Sequence, residues 1–471
     1  MASSEVSNPS NSNEAGEKME PKDNYNLVYC ASVLCGVAFL MPWNSITMAV
    51  DFFKMTYPGT KIMFAISISY LIVVWIGSTL SNLTVELLNL RVKTIFGFVL
   101  SLSGLAYLAI VEAWLRPFSL VVSYRLVLLC CVFVSFGSSI MQTNIYGLFS
   151  MLPKRYTQGV MVGESLAATI TVTMRVLTKL SVQDAQTSTV IFFTSSLLVS
   201  IICLIAFLLA MRSPYVKFYV NKCQVIEGES ETAGLLKLYE LDQVTNKPND
   251  ADYGSTAVDK GQNGDVTGAL TSSAMKESLT VRIKRAFDNR MHMVRIIWPY
   301  MLAFWLNYFV TLGVFPGLSS EVISCKLGSW MPVIMLSLFN VFDLIGKIFT
   351  AWEYDCPSIV LVLCSTARLV LIPLFILSAT PRLHPVIGGM ALPFFFSALN
   401  GITNGYFGCV PIILAPTKVS AEKREIAGNM MVFALTTGLS TGSATAFGYL
   451  AILEPLTGLN NPCLQNGTYP M

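Results

Sequence analysis

Eleven apolar runs of membrane-crossing length occur in this chain of 471 residues, six before one long polar stretch and five after it. A backbone in lipid has no water to bond, and a helix satisfies its own amides and carbonyls. About 20 apolar residues at 1.5 Å per residue match a ~30 Å hydrocarbon core. The expectation is an all-α integral membrane protein of eleven spans. They fall at about 27–50, 62–88, 93–113, 122–148, 157–180, 189–211, 294–314, 330–352, 358–379, 386–410 and 426–453. The charged fraction of 13% agrees, since soluble domains carry about 25%.

The polar stretch divides the chain. A tail over 1–26 leads into six spans over 27–211, a loop over 212–293, five spans over 294–453 and a tail over 454–471. Six and five helices joined by a long loop are the layout of a secondary transporter, which makes a small-molecule substrate and the lipid bilayer the expected partners. The loop is rich in Glu, Asp, Lys, Asn, Gly and Ser and is expected to be disordered. Its end, 275–293, has Leu279, Ile283 and Phe287 at helical spacing beside Arg282, Lys284, Arg285 and Arg290. Either a helix on an anionic leaflet or a solvated basic linker fits that pattern. Arg91, Lys93, Lys154, Arg155, Lys418, Lys423 and Arg424 fall in alternate connections. By the positive-inside rule the N-terminus and the loop are cytoplasmic and the C-terminus is outside. The N-terminus lacks the basic and apolar regions of a cleaved signal peptide.

Other features narrow the class. The net charge of +3, with no dense basic run, excludes a nucleic-acid partner. The eleven Cys fall mostly singly in apolar runs and read as buried thiols. Cys325 and Cys463 share the outer side, which is the sole support for a bridge between them. Asn466-Gly467-Thr468 is an outside glycosylation sequon, whereas Asn82-Leu83-Thr84 lies within a span. Nucleotide-binding loops, zinc motifs and catalytic triads are absent, so no enzyme activity, metal or cofactor is expected.

Ionisable residues inside spans are costly and face a pathway or a partner. Glu164, Asp343, Lys347 and Arg368 stand out. Asp343 and Lys347 are four apart, on one helix face. They either bind a polar substrate or lock helices together as an ion pair. Glu164 lies among small residues in Gly159-Val160-Met161-Val162-Gly163-Glu164-Ser165, with no cation four residues away. Arg175 shares its face about 16 Å along the axis. Glu164 is therefore neutralised by another helix, left as a lone anion facing a water-filled cavity, or buried as the acid. Gln142 and Tyr146, and Asn400 and Asn404, make polar pairs at four-residue spacing, and Trp43 and Asn44 follow Pro42. An aromatic face beside amides suits a flat ring or an amine, while polar residues also bind membrane helices together. Gly401 with Gly405, and Gly438 with Gly442, predict close helix packing. His292 and His384 lie near span ends, which argues against a histidine proton relay.

Several of these residues form a recognisable set. They are Met41-Pro42-Trp43-Asn44, Gln142 ahead of Leu152-Pro153, Phe339-Asn340-Val341-Phe342-Asp343 with Lys347, Asn404-Gly405-Tyr406, and Glu425 with Gly428. In these the chain resembles the equilibrative nucleoside transporters from about Tyr29 to Tyr449, outside the loop. The resemblance implies a major-facilitator-like fold lacking a twelfth helix, and a facilitative carrier without cofactor. Met151 to Met161 and Tyr57-Pro58-Gly59-Thr60 are most similar to the family's plasma membrane monoamine-transporting branch. Typical nucleoside carriers have Gln where this chain has Glu164 and Arg where it has Lys347. Trp43 stands where the monoamine branch has Tyr and favours the nucleoside alternative. The resemblance implies substrate contacts at Trp43, Asn44, Gln142, Asp343 and Lys347, and ties Glu164 to cation preference. Arg368 and Asn404 complete the candidate substrate-binding set. The expectation is a plasma membrane carrier of organic cations such as serotonin and dopamine, with nucleosides as the alternative.

Overall fold

The computed structural model is all-helical across the residues it describes, which are 21–57, 60, 62–83, 89–182, 184–223, 279–315, 317–320, 322, 324, 326–327, 330–352, 355–380 and 385–457. The first six long helices are α1 (Leu27–Met48), α3 (Ile62–Leu83), α4 (Leu90–Tyr107), α5 (Leu120–Ser150), α6 (Lys154–Ser181) and α7 (Ala185–Arg212). The short α2 (Val50–Thr56) follows α1, and a π-helical segment, Leu108–Leu115, extends α4. Helix α8 covers 214–223. Then come α9 (Leu279–Val314), the single turn α10 (Gly317–Ser320), α11 (Trp330–Phe349), α12 (Ser358–Ala379), α13 (Ala391–Leu414) and α14 (Arg424–Thr457).

Nine of these helices, among the described residues, are long and apolar enough to cross a membrane. Helices α11 and α14 occupy the other two expected spans. Asp343 and Lys347 interrupt α11, and α14 is rich in Gly, Ser and Thr. Two helices enter the stretch read as loop: α8 covers 214–223, and α9 begins at Leu279. From Leu279 onward the basic segment is helical and continuous with the following span. The rest of the loop, the 466–468 sequon with Asn466, and Cys325 and Cys463 lie outside the described residues. The described cysteines are free thiols, most of them buried.

Local chemistry fixes where helices begin. Asp23 accepts from the backbone N–H of Val28 and Tyr29 at 3.0 and 3.2 Å, satisfying donors that a helix start leaves open. Asn89 accepts from Arg91 at 3.0 Å and Asp184 from Thr187 at 2.7 Å. Pro153 precedes α6 and Pro357 precedes α12, positions where a missing N–H costs nothing.

Helix α1 packs along α6, α11 along α13, and α9 along α14. The first pair is tight because Gly36 meets Gly163, where a Cβ on Gly36 would lie 2.9 Å from the Gly163 Cα. In the second, a Cβ on Gly405 would lie 2.8 Å from the Lys347 amide nitrogen. Small residues thus let the α11 backbone approach α13 closely. The first six spans meet the last five where α3 and α5 touch α14, and where α6 touches α11 and α13. The outward surfaces are apolar. Ile201, Ile202, Ile205 and Leu209 of α7 are exposed, as lipid contact requires.

Candidate functional site

Glu164 sits midway along α6, and Asp343 and Lys347 lie one turn apart on α11. Lys347 Nζ is 3.4 Å from Asp343 Oδ2 and 3.7 Å from Glu164 Oε2. One ammonium is therefore shared by two carboxylates from opposite parts of the chain. All three residues are at most 7% exposed. With each group ionised, these three sum to −1, and the buried Arg368 guanidinium further out brings the wider cluster to zero. Glu164 is thus not the lone anion that one reading allowed. Lys347, from the other half of the chain, is its counter-charge, which four-residue spacing within α6 has no means to reveal.

Neutral donors fill the remaining carboxylate lone pairs. Gln142 Nε2 donates to Glu164 Oε1 at 3.1 Å. Ser165 Oγ donates to Asp343 Oδ2 at 2.5 Å, and Asn404 Nδ2 to Asp343 Oδ1 at 2.6 Å. Buried ions need such complete shells, because desolvation otherwise exceeds the Coulomb gain.

Arg368, in the 3-10 turn of α12, lies one layer further out, where amides and hydroxyls hold it. Its guanidinium donates to Asn307 O at 2.9 Å and to Asn307 Oδ1. It also donates to Thr311 Oγ1 at 3.0 Å, Asn400 Oδ1 at 2.8 Å and Thr403 Oγ1 at 3.1 Å. Asn307 and Thr311 donate in turn to Asn404 Oδ1 at 2.9 and 2.7 Å. Asn404 therefore links the Arg368 cage to Asp343. Sequence reading missed Asn307, Thr311, Ser165 and Thr403. Asn307 and Thr311 carried a signal, being polar residues four apart within a span.

Trp43 and Asn44 stand apart from this network. Trp43 stacks on Tyr70 of α3, with ring centroids 3.5 Å apart and planes at 15°, and Tyr70 was not anticipated. Among the described residues, the buried Asn44 Nδ2 has no hydrogen-bond partner.

A cavity of about 300 Å³ lies toward the start of α6, lined among others by Tyr29, Lys154, Gln158, Trp352 and Tyr406. Gln158 joins it to the charged core. Its amide donates to the Lys347 carbonyl at 3.5 Å and accepts from Tyr29 OH at 3.4 Å. Beside this cavity Lys154 Nζ pairs with Asp355 Oδ1 at 3.0 Å, joining the start of α6 to the α11–α12 connection. That contact holds the exposed Asp355 carboxyl below its ordinary range, first through the hydrogen bond from Lys154 and then through its charge.

The arrangement is a buried, hydrogen-bonded charge cluster between two helix sets, reached from one end by a cavity. Solved structures of the same fold include the major facilitator superfamily proton:xylose symporter XylE, with a TM-score of 0.61 at 13% identity, covering 92% of this chain and 90% of that one. FucP, of the same superfamily and in its outward conformation, has a TM-score of 0.52 at 14% identity over 93% of this chain and 94% of that one. A nucleoside transporter family model matches residues 128–451. The chain is 37% identical to equilibrative nucleoside transporter 4 of Homo sapiens, over 95% of this chain and 87% of the relative. It is also 37% identical to the Danio rerio protein of that name, over 93% and 86%, and 28% identical to equilibrative nucleotide transporter 1 of Arabidopsis thaliana, over 93% and 89%. By this family match and these identities, the chain belongs to the equilibrative nucleoside transporter family: it is a multi-pass facilitative membrane transporter and not an enzyme.

Proposed function

We propose that the protein carries organic cations, monoamines among them, across the plasma membrane by uniport. The observation that supports this is the sharing of one Lys347 ammonium between Glu164 and Asp343. The Glu164–Asp343–Lys347 trio is net negative when ionised, which favours a positively charged ligand beside it. A substrate ammonium would replace Lys347 at Glu164, leaving Lys347 with Asp343. Gln142 would hold the free Glu164 oxygen, and the Asn44 amide would bond a ring hydroxyl. Trp43, already stacked with Tyr70, would present an aromatic face to a flat ring. Arg368 and Asn404 would bind indirectly, by orienting Asp343.

The six-helix set over 27–211 would rock against the five-helix set over 294–453 about this cluster. The N-terminus is assigned to the cytoplasm and the C-terminus to the outside, with Asn466 as the exposed sequon. A monovalent cation gains about 2.3 kcal/mol per 100 mV on moving inward. No coupled ion is then needed for more than tenfold accumulation. A nucleoside is the second reading, favoured by the names of the relatives and by the amide and guanidinium groups of Asn307, Asn400 and Arg368 that suit sugar hydroxyls.

Uptake of labelled serotonin and labelled uridine at a clamped potential tests the reading. Serotonin uptake that grows with inside-negative potential is the expected result. Uridine uptake indifferent to potential, with no serotonin uptake, would return the site to nucleosides.

A further inference from the structure

Tyr308 of α9 carries a buried hydroxyl outside every network described above. The residue is 7% exposed, and among the described residues its OH has no hydrogen-bond partner. Asn307 beside it and Thr311 one turn on both donate to Asn404, but Tyr308 takes no part in that cage. Its ring stands edge-on to Phe304, with centroids 5.1 Å apart and planes at 82°. Its Cβ backs onto α14, 3.3 Å from where a Cβ on Gly438 would lie. The hydroxyl end reaches α13, where a Cβ on Gly408 would lie 3.4 Å from it. Gly408 is about one turn beyond Asn404, so the hydroxyl emerges beside the charged core. Glu164, Asp343 and Arg368 are the charged groups around it, with Cys409 and Tyr146 as titratable neighbours. All four oxygens of the two carboxylates already have partners in Lys347, Gln142, Ser165 and Asn404. A buried hydroxyl without a partner is costly, and here a ligand in the core is the partner that would satisfy it.

We infer that Tyr308 is a specificity residue that reads the N–H groups of a substrate ammonium. The inference rests on the cation reading above. A primary ammonium has three N–H donors. Glu164 accepts one of them once Lys347 withdraws to Asp343. A second donor needs a second acceptor, and the Tyr308 oxygen beside Glu164 has its lone pairs open. Packing against Phe304 and Gly438 fixes the ring, so the oxygen is presented with little ordering left to do. A quaternary ammonium has the same charge and no N–H. It is attracted by Glu164 but gains nothing from the hydroxyl. The core therefore favours a primary amine over its fully methylated counterpart, and Tyr308 sets that preference.

Uptake of labelled serotonin and of its labelled N,N,N-trimethyl derivative tests this, with native protein and Tyr308→Phe at equal surface expression and a clamped potential. The two substrates share ring and charge and differ in their N–H groups. Tyr308→Phe should lower serotonin uptake at low concentration by roughly tenfold, the worth of one hydrogen bond to a charged group, and leave the trimethyl derivative little changed. The gap between the two substrates should therefore shrink. A gap of any size that the substitution leaves unchanged would overturn the assignment of Tyr308 while the cation reading stands. Uptake of neither substrate by the native protein would overturn that reading and this one with it. Stability supplies a check that involves no substrate. Tyr308→Phe removes a hydroxyl without a protein partner, so the empty protein should unfold at a midpoint no lower than the native one. A clear fall would mean that the protein itself holds the hydroxyl, and would count against the site.

Discussion

Glu164 and Glu112 are two buried glutamates within the first six spans, and their surroundings differ in kind. Glu164 has a cation 3.7 Å away and an amide on its other oxygen. Glu112 has two hydroxyls and no ion pair among the described residues. Both satisfy the rule that a buried acid needs partners, one with a counter-charge and the other with hydroxyl donors, Tyr57 and Ser123. The difference sets what each can do. A carboxylate held by a movable ammonium can exchange that partner for another cation. A carboxyl bonded on each oxygen by a hydroxyl has no such cation to exchange.

Removing the counter-charge should break this comparison most severely. Lys347→Ala leaves Glu164 and Asp343 facing each other unneutralised, and breaking a buried pair from one side costs about 3–5 kcal/mol. A large fall in the unfolding midpoint and loss of all uptake are expected. Next in size, Glu164→Gln removes the charge and keeps the shape. Amine uptake should drop by roughly tenfold or more, the worth of about 1.4 kcal/mol, while uridine uptake is spared. Unchanged amine uptake at equal surface expression would end the assignment of Glu164.

Tyr57→Phe should cost less, about 1–3 kcal/mol for an unsatisfied buried oxygen, read as a lower unfolding midpoint with the ratio of amine to uridine uptake unchanged. Smallest is the Lys154–Asp355 contact. The Asp355 carboxyl is held below its ordinary range. Its contribution is therefore present above the ordinary carboxylate range and lost as pH falls through the lowered value. Exposure makes the effect small. Asp355→Asn should alter the unfolding midpoint slightly at neutral pH and not at all in strong acid.

The helical fold was legible because lipid leaves the backbone few choices, and the runs of apolar length locate most spans. Asp343 with Lys347 was legible for a local reason, since four residues make one turn. The pairing of Lys347 with Glu164 was not, because helix periodicity says nothing of which face of α11 meets α6. The Arg368 cage was half visible: Asn400 and Asn404 share a spacing, but Asn307 and Thr311 come from α9. Glu112 escaped notice because it falls at the end of its expected span, where a charge is cheap and draws no attention. Its partners lie at the ends of α2 and α5, so only the folded arrangement brings them together.

Helix α6 bears both the carboxylate of the central cluster and, at its start, the lysine of the Lys154–Asp355 contact. Ten residues separate Glu164 from Lys154, or about 15 Å of helix. Pivoted near Glu164, the helix acts as a lever. A tilt of about 10° would swing its far end by about 2.6 Å over that length. Such a swing is comparable to the 3.0 Å separation of Lys154 from Asp355. A small reorientation around the ligand is thus magnified at the end of the rod, with no separate messenger between them.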